Sequence, residues 1–223
     1  MSSSETAFTE IQARLQRAAA QHGHPAQLLA VSKTKPAAAV RALAAAGQRR
    51  FGENYVQEAL AKQRELADLA LEWHLIGPLQ SNKCREVAEH FDWLQSLDRA
   101  KLIAPLARWR PAARGPLNVL IQVNIDDEAS KSGCAPEELP VLAAAVAAEP
   151  QLRLRGLMAI PAPHADLSLR RAAFARMYAL YRGLQADYPA VDTLSLGMSE
   201  DFELAVAEGA TLVRIGSALF GAR

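Results

Sequence analysis

Short apolar segments alternate with longer segments of helical length along most of the chain, and this alternation constrains the fold more than any other feature. The longer segments are rich in alanine, leucine, glutamate and arginine. Strands that alternate with helices pair in parallel. About eight strand-and-helix units in one chain predict an α/β fold, a closed (β/α)8 TIM barrel. The predicted strands are residues 28–32, 49–53, 72–77, 93–97, 118–124, 152–160, 193–197 and 212–216.

An open doubly wound sheet is the alternative fold for the same alternation. Its usual nucleotide-binding motif, a G-x-G-x-x-G turn after the first strand, is absent from this sequence. Before the first strand, apolar residues at helical spacing predict an extra N-terminal helix over about residues 5–22. Because no low-complexity linker interrupts the chain, we expect residues 1–223 to form a single domain, with a surface loop at 108–116.

Charge and cysteine content exclude several classes of protein. The 25 Lys and Arg residues nearly balance the 24 Asp and Glu residues, so no overall field attracts nucleic acid or an anionic membrane. Cys84 and Cys134 lie far apart without CxxC spacing, which argues against a metal site and a disulfide framework. No segment resembles a signal peptide or has the roughly 18 consecutive apolar residues of a membrane span. We therefore expect a cytoplasmic monomer.

Lys33 follows the first predicted strand, in the stretch LLAVSKTKP (residues 28–36). The carboxyl ends of the strands carry the chemistry in barrels of this type, so Lys33 is expected at the barrel mouth. Partial desolvation and the nearby charge of Lys35 disfavour a protonated amine and favour attack on a carbonyl, as a Schiff-base lysine requires. Lys131, after the fifth strand, would add positive charge there. A solvated loop lysine is the alternative interpretation of Lys33.

Small polar turns follow the last two predicted strands, in SLGMSED (195–201) and VRIGSALFG (213–221). Backbone N–H groups and hydroxyls at a helix N-terminus favour an anion. The loops after strands seven and eight frequently form a phosphate site in such barrels. Ser199, Gly216 and Ser217 could together hold one phosphate. The alternative role of Ser199 is that of a helix N-cap.

Three further polar side chains fall inside or next to predicted strands. Arg214 lies within the eighth strand, where a charged group either pairs with an acid or faces a ligand. Asn54 and His74 are candidate ligand contacts near the ends of strands two and three. A hydrogen-bonded histidine of the barrel interior is the alternative interpretation of His74.

Several stretches together resemble the fold-type III pyridoxal 5′-phosphate (PLP) barrels, and more narrowly the pyridoxal phosphate homeostasis protein family, which is alanine-racemase-N-terminal-domain-like. These stretches are AVSKTKP, FGENYVQE, WHLIGPLQSNK, SLGMSEDFELAVAEGATLVRIGSALFGAR and, more loosely, IQVNIDDEASKSG and LRGLMAI. The resemblance covers about residues 28–223. It implies PLP as the cofactor, no metal, and a cofactor pocket formed by Lys33, Asn54, Met198, Ser199, Arg214, Gly216 and Ser217.

The resemblance also implies a role for each pocket residue. Lys33 would form a Schiff base with PLP, and Asn54 would line the pocket. Arg214 would face the pyridine nitrogen. Ser199 with Met198, and Gly216 with Ser217, would hold the phosphate. Lys35 and Lys131 match lysines associated with PLP handling in relatives.

An arginine at the ring nitrogen disfavours its protonation and makes the cofactor a poorer electron sink. The expected function is therefore PLP binding in vitamin B6 and amino-acid homeostasis, without catalytic residues or substrate turnover. Apo PLP-dependent enzymes are the expected recipients of the cofactor. A weak amino-acid racemase and, less well supported, a Schiff-base aldolase acting on a phosphorylated sugar are the alternatives.

Overall fold

Eight parallel strands form a closed barrel in sequence order. The computed structural model describes residues 3–126, 132–162 and 165–221. β1 pairs in parallel with both β2 and β8, which closes the sheet. The predicted (β/α)8 barrel is therefore confirmed. The strands are β1 (Gln27–Val31), β2 (Arg50–Glu53), β3 (Glu72–Leu75), β4 (Trp93–Leu97), β5 (Leu117–Gln122), β6 (Leu152–Met158), β7 (Thr193–Ser195) and β8 (Leu212–Ile215).

Nine α-helices accompany these strands within the described part of the chain. The first precedes β1 and contacts the second, eighth and ninth helices, so the predicted N-terminal helix is confirmed. The helices are α1 (Ser3–His22), α2 (Ala37–Ala45), α3 (Val56–Glu65), α4 (Cys84–His90), α5 (Ile103–Trp109), α6 (Leu139–Ala147), α7 (Leu167–Asp187), α8 (Phe202–Ala207) and α9 (Ser217–Phe220).

Most residues of the eight strands are buried. Every residue of β4 and β8 is buried, as expected where helices cover the outer face of a parallel sheet. Such strands consist of nearly continuous apolar residues, so the polar side chains inside them are exceptional. Four of these exceptions, in β3, β4, β7 and β8, are joined by hydrogen bonds inside the barrel and are described below.

Residues 108–116 are anchored more firmly than the predicted surface loop implies. Arg110 is buried and donates from Nη1 to the carbonyl oxygens of Ala88 and Phe91, at 2.8 and 2.7 Å. It also donates from Nε to the carbonyl of Gly115 at 2.7 Å. Burial lowers the pKa of Arg110 to about 10. The guanidinium thus ties this connection to the end of α4.

The described residues hold neither a disulfide nor a cluster of three or more metal-ligating side chains. Cys84 and Cys134 are both buried free thiols, and burial raises the pKa of Cys134 to about 12. No helix in the described ranges is long and apolar enough to cross a membrane.

Candidate functional site

A cavity of about 200 Å³ opens at the carboxyl ends of the strands. Three apolar residues, Val31, Ile76 and Ile160, form part of its wall. The rest of the wall consists of all seven residues that the sequence analysis assigned to a cofactor pocket. These are Lys33, Asn54, Met198, Ser199, Arg214, Gly216 and Ser217. The fold therefore brings together residues that lie up to 184 positions apart (33 to 217) in the chain.

Lys33 lies in a tight turn directly after β1. The Ser32 N–H continues the ladder by donating to the Gly52 carbonyl at 3.0 Å, and the Lys35 N–H donates to the Ser32 carbonyl at 3.1 Å. Lys33 is the second residue of this turn and is half-buried. Lys33 therefore lies at the edge of the cavity, in a turn that is no longer part of the sheet.

Arg214 forms part of the cavity wall from within β8 and is only 4% exposed. It donates from Nη1 to the carbonyl and hydroxyl of Ser195, and from Nη2 to the carbonyl of Ala159. These acceptors are all neutral, and no carboxylate contacts the guanidinium among the described residues. Burial lowers the pKa of Arg214 to about 10, and the charge of Asp201 counters this in part. The guanidinium remains protonated at neutral pH.

A chain of hydrogen bonds links Arg214 to the opposite end of the barrel. The Ser195 hydroxyl, which accepts from Arg214, donates to Gln95 Oε1 at 2.7 Å. Gln95 Nε2 lies 2.9 Å from His74 Nδ1, and His74 Nε2 lies 2.8 Å from Glu72 Oε1. Sequence reasoning missed Gln95 and Ser195. The available indication was a polar residue inside each of the apolar segments WLQSL and TLSLG.

The turns after β7 and β8 meet at one side of the cavity. Ser217 Oγ donates to Ser199 Oγ at 3.1 Å, and the Ala218 N–H lies 3.4 Å from the same oxygen. The N-cap of α8 is Asp201 rather than Ser199, so the alternative role of Ser199 as a helix cap is wrong. Two hydroxyls and the backbone N–H groups at the start of α9 form a set of donors suited to an anion.

Two glycines allow the walls of the cavity to approach closely. A Cβ at Gly77 would lie 2.2 Å from the carbonyl oxygen of Asn54, so only glycine fits beside that turn. Gly197 has φ +83°, and a Cβ there would lie 2.9 Å from the Cα of Phe202. Gly197 thereby lets the chain fold back from β7 and presents Met198 and Ser199 to the cavity.

Two other candidates, His74 and Lys35, lie outside this cavity. His74 is buried and borders a separate cavity of about 420 Å³ at the amino ends of the strands, so the structure favours its interpretation as a hydrogen-bonded interior histidine. Lys35 Nζ donates to the carbonyls of Phe220 and Gly221, at 3.1 and 3.2 Å. Lys131 lies outside the described residues.

Comparison with known proteins extends over nearly the whole chain. Residues 8–223 match the family model described as alanine racemase, N-terminal domain. The pyridoxal phosphate homeostasis protein of Pseudomonas aeruginosa is 60% identical over 219 residues, which are 97% of this chain and 94% of that protein. The protein of the same name from Escherichia coli K12 is 58% identical over 88% of this chain and 85% of its own length.

A solved structure shows the same fold with a cofactor. PipY of Synechococcus elongatus PCC7942, with PLP bound, is 41% identical and superposes with a TM-score of 0.84. The match covers 98% of this chain and all of that one. The similarity therefore includes the entire barrel and the mouth that contains Lys33.

Proposed function

Because the chain belongs to the pyridoxal phosphate homeostasis protein family, within the alanine racemase N-terminal domain family, we propose that it binds PLP and serves the homeostasis of that cofactor. The observation that carries the proposal is the composition of one cavity. It combines an amine, a pair of hydroxyls beside the backbone N–H groups at the start of α9, and a buried guanidinium. These groups match the aldehyde, the phosphate and the ring nitrogen of PLP.

Each polar group of the cavity has a proposed role in holding PLP. The cofactor supplies an aldehyde that condenses with a primary amine to a Schiff base. Lys33 is the amine in the cavity wall. Ser199 and Ser217 would hold the phosphate with backbone N–H groups, and Gly216 lets that turn pass close to Val31, because a Cβ there would lie 3.3 Å from its carbonyl oxygen. Asn54 and Met198 would line the remaining wall.

We propose that the protein holds PLP without turning over a substrate. Arg214 stays protonated, and the acceptors that contact it within the described ranges are all neutral. A positive charge at that position keeps a proton off the pyridine nitrogen and weakens the ring as an electron sink. Among the described residues that line the cavity, only Lys33 and Arg214 are titratable. A racemase needs acid and base groups on both faces of its substrate, and this wall offers one amine.

The same proposal extends to the oligomeric state of the protein, its location in the cell and the recipients of its cofactor. We propose that residues 1–223 work as one PLP-binding unit, as a monomer in the cytoplasm, and that apo PLP-dependent enzymes receive the cofactor. The names of the relatives support a role in PLP homeostasis. Sedimentation velocity would test the monomer, and reactivation of an apo enzyme by the loaded protein would test the transfer.

The proposed function is tested by locating the bound cofactor. We expect the purified protein to take up PLP with a visible absorption band, and borohydride reduction to leave a pyridoxyl group on Lys33 in peptide mass spectrometry. Lys33→Ala should lose both the band and the label, whereas Lys101→Met, at an exposed lysine, should keep them.

Two results would contradict the proposal. Racemisation or cleavage of an amino acid at ordinary enzyme rates, on the order of 1 per second, would show that the protein is an enzyme. A protein that takes up no PLP but forms a reducible adduct with a phosphorylated sugar would instead be a Schiff-base aldolase.

A further inference from the structure

A buried cluster of charged side chains lies directly behind the turn that carries Lys33. Lys62 of α3 is 4% exposed, and Glu53 at the end of β2 is fully buried. The Lys62 ammonium donates to Glu53 Oε1 and to Glu58 Oε1, both at 2.7 Å. Its third donor contact, at 2.6 Å, is the carbonyl oxygen of Ser32. One cation thus joins two carboxylates to the residue that precedes Lys33.

The cluster contacts both peptide groups that flank Lys33. On one side, the Ser32 carbonyl accepts from Lys62, and the Ser32 hydroxyl donates to Glu53 Oε1 at 2.5 Å. On the other side, the Thr34 N–H donates to Glu58 Oε1 at 2.5 Å. Since two fixed peptide planes determine the direction of the Cα–Cβ bond between them, the cluster constrains the direction in which the Lys33 side chain leaves the backbone.

Thr34 has a backbone conformation that needs such support. Its φ is +62°, and it is the only non-glycine residue with positive φ in the described part of the chain. It occupies the third position of the turn, where glycine or asparagine is usual when φ is positive. A β-branched residue is strained there. The hydrogen bond to Glu58 holds the peptide N–H of this strained residue.

The cluster is poorly arranged for stability alone. Burial raises the pKa of Glu53, although the hydrogen bonds from Lys62 and Ser32 oppose this. Its second oxygen, Oε2, finds no hydrogen-bond partner among the described residues. Apolar side chains of similar volume often stabilise a core as well as a buried ion pair does. Apolar side chains could not form the hydrogen bonds that this cluster makes to the backbone on both sides of Lys33.

We propose that Glu53, Glu58 and Lys62 are positioning residues, which hold the turn Ser32–Lys35 so that the Lys33 amine points into the cavity. The proposal rests on the proposed function, in which Lys33 is the amine that binds PLP. The three residues act through the turn and are absent from the cavity wall.

Glu58→Ala tests the proposal, because it removes the acceptor of the Thr34 N–H and leaves Lys62 paired with Glu53. We expect the rate constant for Schiff-base formation with added PLP, followed by visible absorption, to fall about tenfold, equivalent to about 1.4 kcal/mol. Glu65→Ala removes an exposed carboxylate from the same helix and should keep the wild-type rate constant. Glu58→Gln retains an oxygen acceptor and should stay within about threefold of wild type.

A second substitution separates positioning from general destabilisation. Glycine adopts positive φ without strain, so Thr34→Gly added to Glu58→Ala should restore the rate constant to within about threefold of wild type. If Glu58→Ala is slow only because it is less stable, the rate constants of the variants should follow their midpoints of chemical denaturation, which are therefore measured beside them. The double variant also keeps the test decisive if Glu58→Ala alone folds poorly.

The outcomes distinguish this inference from the proposed function. If wild type acquires its label on Lys33 but Glu58→Ala reacts as fast as Glu65→Ala, the positioning role is wrong and the function stands. A slow Glu58→Ala that Thr34→Gly fails to rescue also contradicts the positioning role. If wild type takes up no PLP, or Lys33→Ala is labelled as strongly as wild type, both proposals fail.

Discussion

At the scale of single residues, His74 shows how one hydrogen bond determines a protonation state inside the barrel. The Gln95 amide nitrogen is a donor only, so His74 Nδ1, 2.9 Å away, must accept and carries no proton. Nε2 then carries the proton and donates to Glu72. The ring stacks on Trp93 with 5.1 Å between centroids. Desolvation lowers the pKa of His74, although the hydrogen bond to Glu72 and the charge of Asp92 oppose it.

The protonation state of His74 predicts a loss of stability in mild acid. The unfolded chain binds a proton on this histidine near its ordinary pKa of about 6.5, whereas the folded protein resists protonation. The free energy of unfolding should therefore fall as the pH drops below about 6.5, by at most about 1.4 kcal/mol per pH unit. Urea unfolding between pH 7.5 and 5, above the range of ordinary carboxylates, measures this slope.

Two histidine variants separate this effect from other titrations. His74→Gln should flatten the pH dependence between about 6.5 and 5, whatever its effect on stability at pH 7. His22→Gln changes an exposed histidine at the end of α1 and should leave the slope of wild type. An unchanged slope in His74→Gln would show that another group causes the loss.

At the scale of the elements, the connections after the strands form the site, and the strands support them. The β7–α8 connection turns back through Gly197 at φ +83°. Asp201 Oδ1 then accepts from the Met198 N–H at 2.8 Å. Together, these two features hold Ser199 against Ser217 of the next connection. The shape of the proposed phosphate site therefore depends on backbone conformation as much as on the serines.

Gly197→Ala should destabilise the protein by about 2–4 kcal/mol, through positive φ and close contact. A Cβ at Gly197 would lie 2.6 Å from the Cβ of Ala205 and 2.9 Å from the Cα of Phe202. Gly183→Ala in α7 is the control, because no described atom beyond its chain neighbours and the nearby helix backbone lies within 4 Å of the added carbon and alanine favours a helix by up to about 1 kcal/mol. Equal midpoints of chemical denaturation for the two variants would contradict this explanation.

At the scale of the whole molecule, α1 belongs to the barrel unit although it precedes the first strand. Leu15 is 1% exposed and lies in the same hydrophobic cluster as the barrel. Arg14 pairs with Glu203 of α8 through two hydrogen bonds, at 2.8 and 2.7 Å. The pair is partly exposed and adds little energy, so the apolar face of the helix provides most of the attachment.

Leu15→Ala should lower the stability of the entire molecule, by about 2–5 kcal/mol. We expect one cooperative transition in chemical denaturation, which shifts as a whole in the variant, since α1 and the barrel share one core. Circular dichroism and tryptophan fluorescence would report the transition, because Trp73 and Trp93 lie in β3 and β4. A separate early transition that α1 alone undergoes would show that residues 1–223 do not unfold as one unit.

From local patterns alone, the amino-acid sequence predicts the order and type of the elements and places several of the cavity residues at the barrel mouth, whereas the full set of seven is what the family resemblance implies. Each strand is a short apolar segment and each helix has a hydrophobic period near 3.6 residues, and both patterns are local in the sequence. In a closed parallel barrel all strands end at one rim, so the residues after strands one, two, seven and eight had to meet. Lys33, Asn54, Ser199 and Gly216 could be placed together on this basis.

The polar groups that support that cavity can be identified only from the folded structure. Gln95 and Ser195 are 100 residues apart and form one link in the chain to Arg214. Lys62 lies in α3, 30 residues after Ser32, and its ammonium connects Glu53 of β2 to the turn that contains Lys33. Hydrophobic periodicity indicates that a residue is buried, but the partner of a buried polar group depends on register and on how strands and helices pack. Those partners are known only once the barrel has closed.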